Sequence, residues 1–282
     1  MNNIFRGLGI ALITPFKNGA VDYSALRRLV NYQIKNGADF ICILATTAET
    51  PCLTVDEKRK IKDLVVDIVN GRLPILMGCG GNNTSDVVTA LQTEDFTNID
   101  GILSVCPYYN KPTQEGLYQH FRAVAAATAL PVVLYNVPGR TGVNLQAETC
   151  VRLARECDNI VAVKEASGDL KQIQDIIDMK PSSFDVLSGD DELTGDIIQM
   201  GGVGVISVIA NAFPACYAQL TNPHSKMKKM CKLLFADGNP AGIKALLAEM
   251  GMICNELRLP LVKAQNTTIE QIRKEYDNLS KC

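Results

Sequence analysis

No tryptophan occurs in this chain, and only two histidines do, His120 and His224. They lie far apart in the sequence and without ligand spacing, so nothing indicates a metal site. Ten cysteines are present, at positions 42, 52, 79, 106, 150, 157, 216, 231, 254 and 282, yet none forms a C-x-x-C pair. Several, including Cys42, Cys79 and Cys106, sit inside apolar runs, where a reduced thiol behaves as a small hydrophobe. No stretch is long and apolar enough to span a bilayer, and the opening "MNNIFRGLGIALITPF" has too short an apolar run for a signal peptide. The expected location is cytoplasmic. Charge of one sign is also missing: the formal net charge is −2, with no block of like charges, which argues against a nucleic-acid or anionic-membrane surface.

What the chain has instead is regularity. Eight apolar runs bounded by turns read as strands: "LGIALI" (8–13), "FICILA" (40–45), "PILMGC" (74–79), "GILSVC" (101–106), "PVVLYN" (131–136), "IVAVK" (160–164), "FDVLSG" (184–189) and "VGVISV" (203–208). Segments of helical period separate them, such as "SALRRLVNYQIKNG" (24–37) and "TVDEKRKIKDLVVDIVNG" (54–71). Both end in glycine, and the second opens with Thr54 three residues ahead of Glu57, the spacing of a capping box. Strands alternating with helices at this length predict an α/β fold, a (β/α)8 barrel over residues 1–208. A doubly wound sheet is disfavoured because "TPFKNGAVD" after the first run is not a dinucleotide fingerprint. Residues 209–282 hold no comparable strand and read as a closing helix and a C-terminal helical extension.

In such a barrel every strand delivers its C-terminal end to one catalytic face. The second run delivers Thr46, Thr47 and Glu49, the fourth Tyr108 and Tyr109, and the fifth Tyr135 with Arg140 just beyond. The sixth delivers Lys164 and Glu165, and the seventh Ser188, Gly189 and Asp190. Lys164 ends an unbroken apolar run. A lysine at a strand end ordinarily snorkels to water. At the catalytic rim, burial instead disfavours the ammonium and leaves a nucleophile suited to a Schiff base with a carbonyl. Tyr135 and Tyr109 each lie one residue or so past an apolar run, where a phenol chained to Thr46 or Thr47 can pass protons, although ordinary aromatic packing is the plainer role. Arg140, in "NVPGRTG", is pinned by proline and glycine and suits a substrate carboxylate, against the commoner fate of a surface arginine. "GCGGNN" (78–83) lacks a P-loop lysine and reads as a tight βα loop, and the acids of "GDDELTGD" (189–196) suit a helix start without any metal.

The motifs "PYYNKPTQEGLYQHF", "YNVPGRTG", "VKEASGD", "LSGDD" and "GVISVIAN" together resemble the dihydrodipicolinate synthase / N-acetylneuraminate lyase superfamily. The resemblance runs from about Gly7 to Asn211 and resumes at "DGNPAGIKALLAEMG" and "LRLPLV". It implies that Lys164 condenses with pyruvate and that Tyr135 assists Schiff-base formation and cyclisation. Thr47 and Tyr109 would complete a proton relay, Tyr109 reaching into a neighbouring subunit. Thr46 and Thr47 would lie near the pyruvate carboxylate, and Arg140 would hold the carboxylate of L-aspartate 4-semialdehyde. Gly189 and Ile206 would supply backbone contacts near the lysine. The implied enzyme is a lyase of lysine and diaminopimelate biosynthesis, a homo-oligomer (tetramer or dimer) needing neither metal nor organic cofactor. Asn82, Asp86 and Tyr108 match part of an allosteric lysine site. Pro51, Val55 and Lys58 do not match its lining, so strong feedback inhibition is not expected.

The sequence departs from the family pattern in two places. Ala45 and Ala48 occupy glycine positions of the second-strand motif, and the stretch between Pro214 and Phe235 is short by about two to three helical turns. Two other readings compete: an aldolase of N-acetylneuraminate or a keto-deoxy sugar acid, and a catalytically impaired pyruvate-binding homologue. Arg140 favours a small amino-acid aldehyde over a polyol, and the full set of reacting groups favours turnover.

Overall fold

The structure, a computed structural model, describes residues 4–217 and 224–279. All eight expected strands form: β1 (Gly7–Ala11), β2 (Phe40–Ile43), β3 (Ile75–Gly78), β4 (Gly101–Val105), β5 (Val132–Asn136), β6 (Ile160–Glu165), β7 (Asp185–Ser188) and β8 (Gly204–Ser207). They are joined in the order β1-β8-β7-β6-β5-β4-β3-β2, a closed barrel. The described ladders are parallel, as β-helix-β connections allow. A separate antiparallel pair, Phe16–Lys17 with Ala20–Val21, follows β1.

The helices form where apolar periodicity meets a cap. The first, α1 (Tyr23–Lys35), buries Ala25, Leu26, Leu29, Val30 and Gln33, one stripe of a 3.6-residue period, and Asp22 caps its start by accepting from the Ala25 N–H. The capping box ahead of α2 (Val55–Val69) forms as expected: Thr54 Oγ1 accepts from the Glu57 N–H at 3.2 Å and Glu57 returns the bond at 3.0 Å. The barrel's remaining helices are α3 (Thr84–Thr93), α4 (Gln114–Ala126), α5 (Pro138–Thr141), α6 (Ala147–Glu156), α7 (Leu170–Met179) and α8 (Thr194–Met200). After β8 come α9 (Pro214–Tyr217), α10 (His224–Ala236), α11 (Ala241–Glu249) and α12 (Asn266–Leu279), with no further strand among the described residues. Residues 218–223, part of the stretch expected to be short, and Cys282 lie outside the described residues.

Close packing divides the chain into two compact units: Met1–Gly7 with Pro74–Ile206, and Leu8–Leu73 with Ser207–Cys282. The first holds β3 to β7, with Leu103, Val133, Val163 and Val186 buried along the strands. Arg6 closes its edge through a paired bond to Asp185, at 2.8 and 3.2 Å. In the second, Leu8, Ile10, Phe16 and Phe40 are buried with the inner faces of α1 and α11. Asn211 ties β1 to the chain after β8, donating to the Ala11 carbonyl at 2.8 Å and accepting from the Ile13 N–H at 3.2 Å. No helix among the described residues is long and apolar enough to cross a membrane, and none of them form a metal-holding cluster of His, Cys, Asp or Glu.

Candidate active site

In the first unit, β5 and β6 run side by side with Tyr135 level with Lys164 and Asn136 level with Glu165. Side chains at the same level of neighbouring strands share a face, and the next residue along each strand takes the other. Both consequences are met. Lys164 Nζ lies 4.2 Å from the centroid of the Tyr135 ring. On the opposite face, Asn136 Nδ2 reaches both Glu165 carboxylate oxygens at 3.2 Å.

Lys164 is 4% exposed and Tyr135 5%. No ion pair with Lys164 forms among the described residues. A buried amine whose near neighbour is the face of an aromatic ring keeps its nitrogen out of any carboxylate's grip. Gly189, at the end of β7, walls the other side. Its N–H donates to the Glu165 carbonyl at 2.7 Å, and a Cβ built on it would stand 3.1 Å from Lys164 Cε and 2.8 Å from Ala166 Cβ. The absent side chain is what leaves room for the lysine stem. Ile206, 1% exposed, lies on β8 within the same unit.

The reverse face holds this pair in place. Glu165 is buried and accepts from Asn136, from the Ser167 N–H at 2.7 Å, and from Gln172 on α7. Asn144 completes the network, accepting from Asn136 at 2.8 Å and donating to Gln172 at 2.7 Å. Burial pushes the Glu165 carboxyl up from the ordinary carboxylate range, against the pull of its hydrogen bonds. Burial likewise raises the Cys106 and Cys150 thiols, the nearby Glu165 charge adding to it, so both stay protonated and inert. The sequence offers one clue to this network: the polar residue that follows each functional one on a strand must find a partner on the far side.

Arg140 lies in the last turn of the short helix α5 and is exposed, its N–H donating to the Val137 carbonyl at 2.9 Å. Tyr109 is 88% exposed and holds a left-handed backbone at φ 74°, its N–H donating to the Thr141 carbonyl at 3.2 Å. That bond ties the tyrosine loop to the arginine loop. Tyr108 is exposed, Asn82 half-buried and Asp86 exposed. Asn110 joins the Asn82 loop to the tyrosine loop by donating to the Asn82 carbonyl at 2.8 Å.

Thr46 and Thr47 belong to the second unit, in a 3-10 turn (Thr46–Ala48) directly after β2. Two left-handed residues bracket the turn, Leu44 at φ 51° and Glu49 at φ 54°, and neither alanine substituted for the family's glycines is among the positive-φ residues. Ala45 is extended, at φ −102°, so its side chain costs the backbone nothing. Glu49 is fully buried and pairs with Lys244 of α11, itself fully buried, and accepts from the Arg258 N–H at 3.0 Å. Desolvation draws the Lys244 amine down to about 8 against the raising effect of Glu49. Thr47 is buried, and Asn239 Nδ2 donates to its Oγ1 at 2.9 Å. Asn239 and Lys244 are absent from the residues expected at the catalytic face. A lone lysine inside the otherwise apolar "AGIKALLAE" was the available signal, because a charge there demands a partner.

The model of the dihydrodipicolinate synthetase family matches residues 4–278. The 4-hydroxy-tetrahydrodipicolinate synthase of Phocaeicola vulgatus is 55% identical over 291 residues, covering 98% of this chain and 98% of that one. The crystal structure of dihydrodipicolinate synthase from Thermotoga maritima superposes with a TM-score of 0.97 at 40% identity, covering 99% of this chain and 100% of that chain. A structure described as the first monomeric dihydrodipicolinate synthase variant superposes at 0.96 with 41% identity, covering 98% of this chain and 97% of that one. These relatives are named as synthases rather than sugar-acid aldolases, and the two solved structures share the fold over nearly the whole chain. By both sequence and fold, this chain belongs to the dihydrodipicolinate synthetase family.

Proposed function

We propose that Lys164 forms a Schiff base with pyruvate and that the chain condenses it with L-aspartate 4-semialdehyde, giving 4-hydroxy-tetrahydrodipicolinate. The observation that carries this reading is the buried Lys164 amine, 4.2 Å from the Tyr135 ring centroid, with only glycine at position 189 beside its stem. The amine attacks the ketone carbon and water leaves, forming an iminium. That cation draws electrons from the adjacent methyl, which loses a proton and becomes the enamine carbon nucleophile. The enamine attacks the aldehyde of the second substrate, and that substrate's amine then displaces Lys164, closing the ring and regenerating the free lysine. No metal or organic cofactor enters these steps; the lysine supplies the electron sink itself.

The family pattern assigns proton transfer to Tyr135, Thr47 and Tyr109, the pyruvate carboxylate to Thr46 and Thr47, and the semialdehyde carboxylate to Arg140. Gly189 and Ile206 line the lysine, and the Glu165–Gly189 bond supports that assignment for Gly189. The exposed Tyr109 ring supports a homo-oligomer in which Tyr109 serves a second copy. Asn82, Asp86 and Tyr108 form the proposed contact for free lysine, with weak inhibition. A cytoplasmic location fits these metabolites.

Borohydride reduction in the presence of pyruvate, followed by peptide mass mapping, tests the reading. A pyruvyl adduct on Lys164 is the expected result. Folded protein that binds pyruvate but traps none at Lys164 overturns it.

A further inference from the structure

The loop that carries Arg140 leaves β5 at Asn136 and enters α6 at Ala147. Its own bonds are local: the Thr141 N–H donates to the Val137 carbonyl at 3.1 Å, and the Gly142 N–H to the Pro138 carbonyl at 2.9 Å. They shape a turn without fixing where it stands on the strand. That is settled at the base of the loop. The Asn136 side chain, wholly buried, accepts from the Leu145 N–H at 2.9 Å and donates to Asn144 Oδ1 at 2.8 Å, with the Leu145 carbonyl at 3.4 Å. Gln114 of α4 and Gln172 of α7 also reach Asn144. Of the three, Asn136 alone holds the loop from a barrel strand, one residue after Tyr135. All of these groups belong to the first compact unit.

A primary amide carries two N–H donors and one carbonyl acceptor. Asn136 Nδ2 also stands 3.2 Å from both Glu165 carboxylate oxygens, so one N–H serves the loop and the other serves the residue that follows Lys164. These partners fix the orientation of the amide. Turned over, it would set its NH2 against the Leu145 N–H and its oxygen against the Glu165 carboxylate. One side chain thus ties the loop to both strands, in a buried place where an unmet hydrogen bond is costly.

We infer that Asn136 is a positioning residue that holds the Arg140 loop in register with the strands bearing Tyr135 and Lys164, and so serves the second substrate. This deepens the reading above and rests on its assignment of the semialdehyde carboxylate to Arg140. Asn136 lies on the face opposite the Lys164 amine and acts through the loop. The ladder between β5 and β6 sets Tyr135 level with Lys164 by backbone pairing, so pyruvate should bind much as before in its absence.

The test compares Asn136→Ala, Asn144→Ala, Arg140→Ala and the double variant Asn136→Ala with Arg140→Ala. Amide hydrogen exchange over residues 137–146 reads the loop directly. KM for the semialdehyde, the pyruvate concentration giving half-maximal borohydride trapping, and the thermal midpoint are measured alongside. Asn136→Ala should speed exchange at Leu145 about fivefold or more, the scale of one modest hydrogen bond, with residues 160–164 close to the parent. It should raise KM for the semialdehyde roughly tenfold, the effect of a half-ångström or so of misplacement, and leave half-trapping by pyruvate within about twofold. Asn144→Ala, which removes one bond of the same amide, should do so to a smaller degree. On the Arg140→Ala background, Asn136→Ala should add little to KM. Parental exchange at Leu145 overturns the inference, and so does a semialdehyde KM within about twofold of the parent. Equal changes for both substrates with a lowered thermal midpoint, or effects that add fully to Arg140→Ala, also overturn it, because a merely structural asparagine behaves that way. Should Asn136→Ala fail to fold, Asn144→Ala, alone and combined with Arg140→Ala, decides. A parental semialdehyde KM in Arg140→Ala is a separate result: it strikes the role given to Arg140, while exchange at Leu145 still judges the hold of Asn136 on the loop.

Discussion

Adding one methyl group at Gly189 tests whether the lysine depends on space that only glycine leaves. Gly189 is not among the glycines with positive φ, so alanine meets no backbone penalty and the perturbation is purely one of contact. The new Cβ would lie 2.8 Å from Ala166 Cβ, 3.1 Å from the Glu165 carbonyl oxygen and 3.1 Å from Lys164 Cε. Carbon pairs are comfortable at about 3.5–4.0 Å, so two of these contacts are too close by about half an ångström or more. Ala166 and the Glu165 carbonyl belong to backbone held by the 2.7 Å bond from the Gly189 N–H. The lysine stem is the softest of the three and should give way first. Overpacking of this kind costs about 1–3 kcal/mol of stability, or a lowering of Tm by roughly 2–4 °C per kcal/mol in a chain of this class. A misplacement of about an ångström in a reacting group costs on the order of a hundredfold, so half that shift of the amine should slow pyruvate adduct formation about tenfold. Single-turnover trapping with borohydride gives the rate, and a thermal melt gives the stability. Gly189→Ala protein that forms the adduct at the parental rate would refute the argument that this glycine makes room for Lys164.

Arg140→Ala should raise KM for L-aspartate 4-semialdehyde at least tenfold while leaving pyruvate within about twofold, as expected for loss of a charge-assisted contact to one substrate; equal effects on both would remove it from that role. Burial pulls His120 down to about 4 from its ordinary 6.5, so the fold favours the neutral ring. The unfolded chain then binds the extra proton between those values; its stabilisation is complete above pH 6.5 and lost as the pH falls toward 4, by about 3 kcal/mol in all. Denaturant melts of the parent and His120→Asn should diverge over that window, and parallel curves would count against it. Tyr109→Phe subunits mixed with Lys164→Ala subunits should regain part of the activity if Tyr109 serves its neighbour's site, and no recovery despite demonstrated exchange of subunits would argue otherwise.

The barrel strands were legible because strands buried on both faces are apolar throughout. Their ends were less so. The apolar run "LGIALI" extends to Ile13, but the ladder of β1 stops at Ala11; Leu12 and Ile13 are buried without belonging to the strand, and Ile13 donates to the Asn211 side chain instead. "FICILA" extends to Ala45, but Leu44 turns left-handed at φ 51°, a conformation that its side chain gives no reason to expect. Hydrophobicity reports burial, and pairing is a different property. Within the site, the alignment of Tyr135 with Lys164 was accessible because both end their apolar runs. The Asn239–Thr47 bond was not: its partners lie 192 positions apart, and neither a lone asparagine nor its spacing carries a pattern.

The β5–β6 pair shows how one strand end can be rigid and still leave an amine open for the proposed chemistry. A Schiff-base lysine must exchange a covalent bond twice per turnover, so fixed hydrogen bonds or a carboxylate on its nitrogen would each have to be broken. Here the fixed bonds are on the other face. Asn136 and Glu165, level with one another and linked at 3.2 Å, lock the two strands to α7 and to the Asn144 loop, while Lys164 and Tyr135 meet on the opposite face with the amine over the ring. The alternation of side chains along a strand thereby separates two demands that conflict on a single residue. Rigidity is supplied by Glu165, the immediate chain neighbour of the lysine, and Gly189 joins the two faces by bonding to the Glu165 carbonyl while leaving space beside Lys164 Cε. The amine is therefore placed by its backbone and by what is absent next to it, and its nitrogen stays available for the carbonyl.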